Sequence, residues 1–261
     1  MHLITFSSCF YIIKSKFDCV TYINWMNNLI SIVNKFNLVI YTDDASSKFI
    51  NTNNNPHIKI VIKPIDQFYC YQYKDAWIKN HEQNSLLNSM SGWELNMLWS
   101  EKINFVFETV SRKYFDTEFY GWCDIGYFRN RPKDTSISLL QSWPSNDKIE
   151  ALDKTKVHYA CVNNNKLFVN HLCRLVLSQC EIPPNQVSVA GGFFILHKTL
   201  VEWWKNTYYK KMDEFFEKGL LIKDDQILIA NCVFSDLKRF SLHYEDQCEY
   251  DNWFMFQRLL M

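Results

Sequence analysis

The sequence predicts an α/β fold, a single domain with a largely parallel central sheet flanked by helices. Three observations point there. In the first half, short apolar runs that read as strands alternate with stretches of helical spacing, which is the pattern of a sheet with helices on its faces. Two of those runs end in a carboxylate, Asp43 and Asp124, where strand ends in such sheets line a binding crevice. The 261-residue chain is 48% hydrophobic and 16% aromatic, enough for one large core, and no repeat or low-complexity linker divides it.

Leu3 to Phe6 reads as the first strand. Asn24 to Phe36 carries Trp25, Leu29, Ile32, Val33 and Phe36 at helical spacing, and Leu38 to Tyr41 is a second strand that stops at Thr42-Asp43-Asp44. His57 to Ile62 is a third strand, closed by Pro64. Tyr69 to Ser91 suggests helix broken near Asn88 to Gly92, and apolar residues at 95, 98, 99, 103, 106, 107 and 110 predict a helix after it. Phe119 to Cys123 is a short buried strand. Residues 133–155 look like turns. A strand at Val157 to Val162, a helix at Leu167 to Gln179, and an apolar run at Val187 to Leu196 interrupted by Gly191-Gly192 come next. Helices from Lys198 to Lys218 and from Asp225 to Phe234 complete the body.

Lys plus Arg and Asp plus Glu balance at 28 each, so no global field for nucleic acid or acidic membrane is indicated. Nine cysteines, an odd number with no C-x-x-C spacing, suggest reduced, mostly buried thiols rather than disulfides or a zinc site. Met1-His-Leu-Ile-Thr-Phe lacks the basic start and long apolar run of a signal peptide, and no stretch approaches the ~20 apolar residues of a membrane span. A cytoplasmic protein is expected.

The most informative segment is Tyr120-Gly-Trp-Cys-Asp-Ile-Gly-Tyr-Phe-Arg129. It delivers one carboxylate, Asp124, to a strand end, with Gly126 two positions later to let the backbone turn. An Asp there can hold a divalent cation against a pyrophosphate, or cap the turn. With the preceding Leu98-Trp-x-x-Lys102 helix and the segment Phe115-Asp-Thr-Glu-Phe119, this stretch resembles the HtrL/YibB (WlaTC/HtrL) family, which is grouped with the glycosyltransferases. The resemblance takes in Ile4-Thr-Phe6, Tyr22-Ile-Asn-Trp-Met-Asn-Asn-Leu29, Leu38-Val-Ile-Tyr-Thr-Asp43, Ala190-Gly-Gly-Phe-Phe194 and Asp224-Asp-Gln226, so it runs over most of the chain.

It implies a GT-A-like fold with a nucleotide-binding half at 1–131 and an acceptor-binding half at 132–261. The implied activity is transfer of a hexose from a nucleotide sugar, UDP-linked, to a hydroxyl of a saccharide or glycoconjugate. Asp124 then falls where GT-A enzymes carry an Asp-x-Asp motif that binds Mn²⁺ or Mg²⁺. The chain has Asp124-Ile125-Gly126, so one of the two acids is missing, which puts the metal in question. His243 is a candidate second ligand, or an ordinary strand or surface histidine. Lys102 and Arg129 are candidates for the diphosphate; Lys102 could instead be a surface lysine, and Arg129 could hold its loop through backbone carbonyls. Asp43 could face base or ribose, or cap a turn. Gly191 and Gly192 could admit a sugar or phosphate, or form a β-bulge. Asp225, and after it Asp224, are candidates to position or deprotonate the acceptor hydroxyl, or to cap the helix they open.

Two further classes compete with that reading. One is a catalytically weak nucleotide-sugar or glycan-binding module. The other is a nucleotidyltransferase, against which stands Ser7-Ser8-Cys9 where a basic, glycine-rich loop would be required.

Overall fold

The computed structural model describes residues 2–163, 165–246 and 249–261. Its elements run β1 (Ile4–Phe10), α1 (Cys19–Ser31), β2 (Asn37–Thr42), α2 (Asp44–Ser47), β3 (Ile58–Ile62), α3 (Lys74–Gln83), α4 (Trp93–Ser111) and β4 (Phe119–Cys123). The second half continues with α5 (Asn146–Glu150), β5 (Val157–Cys161), α6 (Lys166–Leu177), β6 (Val189–His197), α7 (Val201–Glu217), α8 (Asp225–Ser235), β7 (Phe240–His243) and α9 (Phe256–Leu259).

The strands form one seven-stranded sheet in the order β3-β2-β1-β4-β6-β5-β7. β1 to β4 are mutually parallel, as are β5 and β7, while β6 runs antiparallel to both β4 and β5. This is a single α/β domain with a mostly parallel mixed sheet, in keeping with the GT-A-like layout the sequence suggests.

Both faces of the sheet are covered, so its strands read as nearly continuous apolar runs. Alternation along each strand divides the core in two. Tyr120 and Trp122 of β4 and Phe194 and Leu196 of β6 pack with α4, α7 and α8, whereas Phe119 and Cys123 and Phe193 and Ile195 face the layer of α1 and the C-terminal segment. The same parity sends Asp124, the residue after β4, toward the α4 side.

Several boundaries differ from the sequence reading. β4 appears as predicted, but β1 extends through Ser7-Ser8-Cys9 to Phe10. These small polar residues are buried: Ser7 Oγ meets Thr109 Oγ1 at 2.7 Å, so a hydrogen bond replaces the apolar contact that would have marked the strand. The loop after β1 is therefore Tyr11-Ile-Ile-Lys-Ser-Lys-Phe-Asp18, with two lysines and no glycine. That removes part of the objection to a nucleotidyltransferase. α1 starts five residues earlier than predicted because Asp18 caps it, accepting from Thr21 N at 2.8 Å. Ile32, Val33 and Phe36 are buried in the turns after the helix instead of in it. Strand β7, short and half-buried, is not predicted at all.

The eight described cysteines are all unpaired, five of them buried. Among the described residues no helix is long and apolar enough to cross a membrane.

Candidate functional site

At the carboxyl ends of β1 and β4 lies a cavity of about 360 Å³, a size in the range of small-molecule sites. Its floor is an ion cluster. Lys102 reaches from α4 with its ammonium 3.1 Å from Asp124 Oδ1 and 3.0 Å from Asp225 Oδ2, and it donates to the Gly191 carbonyl at 3.0 Å. Asp124 is fixed from two more sides: its backbone N–H donates to the Gly192 carbonyl at 2.9 Å, and Trp122 Nε1 donates to Oδ1 at 2.6 Å.

The two carboxylates differ in access. Asp124 is 39% exposed in its side chain and lines the cavity, while Asp225, in the first turn of α8, is only 4% exposed. Asp225 Oδ2 touches the Lys102 ammonium as an ion pair. Burial pushes the Asp225 carboxyl up to about 7; Lys102 opposes this and the neighbouring Asp224 and Asp124 add to it. Burial works against the charge on Lys102 as well, yet Asp124 and Asp225 outweigh it and its pKa stands above the ordinary lysine value.

The glycine pair exists to seat these acids. A Cβ at Gly191 would lie 2.6 Å from Asp225 Oδ2, and one at Gly192 would lie 3.0 Å from Asp124 Oδ2. The space a side chain would fill is taken by carboxylates, and both glycines also line the cavity. A bulge is present too: β5 and β6 slip register between the Tyr159–Phe194 and Cys161–Val189 pairs, the stretch that contains both glycines. Gly126 likewise serves packing and not a left-handed turn. Its φ is not positive, and a Cβ there would press on the Trp25 ring at 2.7 Å.

Two cations of the cavity wall have no ion-pair partner among the described residues: Lys16 from the β1–α1 loop and Arg129. Arg129 Nε donates to the Gly126 carbonyl at 3.0 Å, so it does hold its loop, and its guanidinium lies over the rings of Trp25 at 4.3 Å and Phe254 at 4.9 Å. Lys16 sits 4.9 Å over the Trp99 ring. Arg131 is engaged by Asp134 at 2.9 Å and Asp251 at 2.8 Å, which ties the C-terminal segment carrying Trp253 and Phe254 across the cavity.

The remaining predicted residues lie elsewhere or act differently. Lys102 does not project toward a ligand diphosphate, because its donors meet protein oxygens. Asp43 is the cap of α2, accepting from Ser46 N at 2.7 Å, and does not line the cavity. Asp224 holds the N-cap position of α8 without a side-chain cap bond and pairs with Lys223 at 3.2 Å. His243 is not beside Asp124. It lies on β7, three strands from β4 or about 14 Å at the usual spacing of strands, too far to share a cation. It pairs with His158 instead, Nε2 to Nδ1 at 2.9 Å, and burial, with His158 second, lowers it to about 4.

Lys16 is not legible in the sequence, because a first strand read to end at Phe6 hides the loop that carries it. The donor set does not suit Mn²⁺ or Mg²⁺ held between two acids, because the Lys102 ammonium already occupies that place. No group of three or more His, Cys, Asp or Glu side chains able to hold a metal occurs among the described residues. No protein-family model matches the chain, and a search of curated proteins finds no match.

Proposed function

We propose that the chain is a GT-A-like glycosyltransferase of the HtrL/YibB type, moving a hexose from a UDP-linked sugar to a hydroxyl of a saccharide or glycoconjugate. The observation that carries this reading is the cavity itself. One exposed carboxylate, the Lys16 and Arg129 cations and a wall of aromatic rings converge at the carboxyl ends of parallel strands, where such folds bind nucleotides. Flat rings suit a base or a sugar face, and the cations suit a diphosphate whose charge grows as it departs. Residues 1–131 supply most of this wall, and 132–261 contribute Gly191, Gly192, Asp225 and the C-terminal aromatics.

In this reading Asp124 is the residue that meets the reacting sugar or the acceptor hydroxyl through Oδ2. Lys102 and Trp122 fix its other oxygen, so the free oxygen is held toward the cavity. Asp225, nearly closed off, is a positioning residue: it holds Lys102 against Gly191. Unpaired thiols agree with a reducing compartment, where nucleotide sugars are also made, and we place the protein in the cytoplasm.

The test is transfer from a panel of nucleotide sugars by the wild type and Asp124→Asn. The amide keeps the shape and loses the charge, so we expect turnover to fall by ~10²-fold or more with melting unchanged. Equal turnover in the two proteins would remove Asp124 from the chemistry. The lysines of the β1–α1 loop favour one second reading, a nucleotidyltransferase. It would reveal itself in a parallel assay by forming nucleotide sugar and pyrophosphate from a nucleoside triphosphate and a sugar phosphate.

A further inference from the structure

We infer that the Lys102 ammonium takes the place of a divalent cation between Asp124 and Asp225, and that the diphosphate is bound without metal by Lys16 and Arg129. The inference rests on the nucleotide-sugar reading above and concerns how that same cavity handles charge.

A lysine ammonium has three donors and no acceptor. At Lys102 three oxygens from three separate elements stand within 3.1 Å of Nζ: Asp124 after β4, Asp225 on α8 and the Gly191 carbonyl on β6. The chain brings this charge in on α4, buried to 7% side-chain exposure, and leaves both glycines without side chains so that the acids can close on it. A magnesium-sized ion demands about six oxygens at ~2.1 Å. To enter between the same acids it would have to expel a buried ammonium or sit beside it, where like charges repel strongly for want of water. Asp124 Oδ2 remains, but one carboxylate oxygen next to an ammonium is a poor start for a cation site and a good acceptor for a sugar hydroxyl.

Positive charge for the ligand must then come from elsewhere in the wall. Arg131 is consumed by Asp134 and Asp251, and Lys102 by its two acids. Lys16 and Arg129 are left. Arg129 presents a planar fork backed by the Trp25 ring, a geometry that matches phosphate oxygens in pairs, and Lys16 supplies a mobile point charge from its loop.

Two measurements decide the matter. In the first, UDP is titrated calorimetrically into the protein with EDTA and again with excess Mn²⁺. We expect dissociation constants within about twofold of each other, and about tenfold weaker binding in both Lys16→Ala and Arg129→Lys. In the second, Mn²⁺ is titrated into the protein alone and the free-ion electron spin resonance signal is followed. The wild type should leave that signal unchanged, whereas Lys102→Met, which empties the position between the acids, should deplete it. UDP binding that requires Mn²⁺, or depletion by the wild type that Asp124→Asn abolishes, would overturn the inference. UDP that binds under neither condition would overturn the nucleotide reading and with it the roles of Lys16 and Arg129. If Lys102→Met failed to fold, the wild-type arm would still test the inference, because depletion of the signal by that protein alone would overturn it.

Discussion

Adjacent residues of α4, Glu101 and Lys102, each sit at the centre of a buried ion cluster, and the two clusters are built to opposite ends. Glu101 is fully buried and accepts from Tyr69 N at 2.9 Å, Cys70 N at 2.8 Å and Asn104 Nδ2 at 2.8 Å, with Lys63 at 3.4 Å. Lys63 also pairs with Glu108, which Asn104 bonds in turn. Every strong donor and acceptor there finds a partner, and the cluster pins the 69–73 segment to α4. Around Lys102 the cluster is not closed: the Asp124 side chain is 39% exposed and lines the cavity. A satisfied buried network holds structure, and a partly exposed one at a crevice is free to meet a ligand.

The sharpest way to break this contrast is to remove the central group of each cluster. Glu101→Leu strands the buried N–H of Cys70, the part-buried N–H of Tyr69 and the Lys63 charge, and we expect it to cost about 3–5 kcal/mol of stability by denaturant unfolding. Lys102→Met should cost less, since the carboxyl of Asp225 can take up a proton, while transfer is lost because Asp124 is no longer held in place. Equal destabilisation by both would mean that the Lys102 cluster is as structural as its neighbour.

The glycine pair gives a smaller, steric test. Gly191→Ala places a methyl against both oxygens of Asp225 and should cost about 1–3 kcal/mol, with the displaced acid loosening Lys102. Gly192→Ala, with 3.0 Å to a partly exposed oxygen, should cost less in stability and act mainly on binding. If the second variant unfolds more readily than the first, the carboxylate of Asp124 is held more rigidly than its exposure implies.

How much of this was legible in the sequence depends on distance along the chain. β4 could be read residue for residue because it is apolar on both faces and ends at Asp124, and helix α4 because its apolar positions recur over five turns. The partnership of Lys102 with Asp225 could not, since it joins α4 to the start of α8 through a strand, β6, whose antiparallel direction no local pattern declares. Asp43 and Asp124 look alike as strand-end acids. Only the structure separates a cap from a site: the carboxylate of Asp43 meets the N–H of Ser46 in the helix turn it opens, and that of Asp124 meets Lys102.

The smallest effects concern pH. The neutral form of His243 is favoured by its burial and by His158, so its contribution to stability is complete above about 6.5 and is lost as pH falls toward about 4. Asp225 has the opposite sign. Its carboxyl is held up to about 7 in the folded chain against an ordinary 3.8, so stability is lost as pH rises from about 4 through 7. Melting temperatures across pH 4 to 8 should show a gentler acid-side fall in His243→Gln and a gentler fall toward neutrality in Asp225→Asn. Curves parallel to the wild type in either variant would show that the group does not titrate in that window.

The placement of β6 has a consequence for how the chain can be divided. β4 ends before residue 131 and β6 begins well after it, yet the two are hydrogen-bonded neighbours in the middle of the sheet. A cut in the loop near Pro132 would therefore not release two modules. It would leave β4 and β6 each with a bare row of N–H and C=O groups, and each fragment would carry a hydrophobic edge whose best complement is the other fragment. Fragments made this way should find each other or aggregate, and neither could present a binding surface alone.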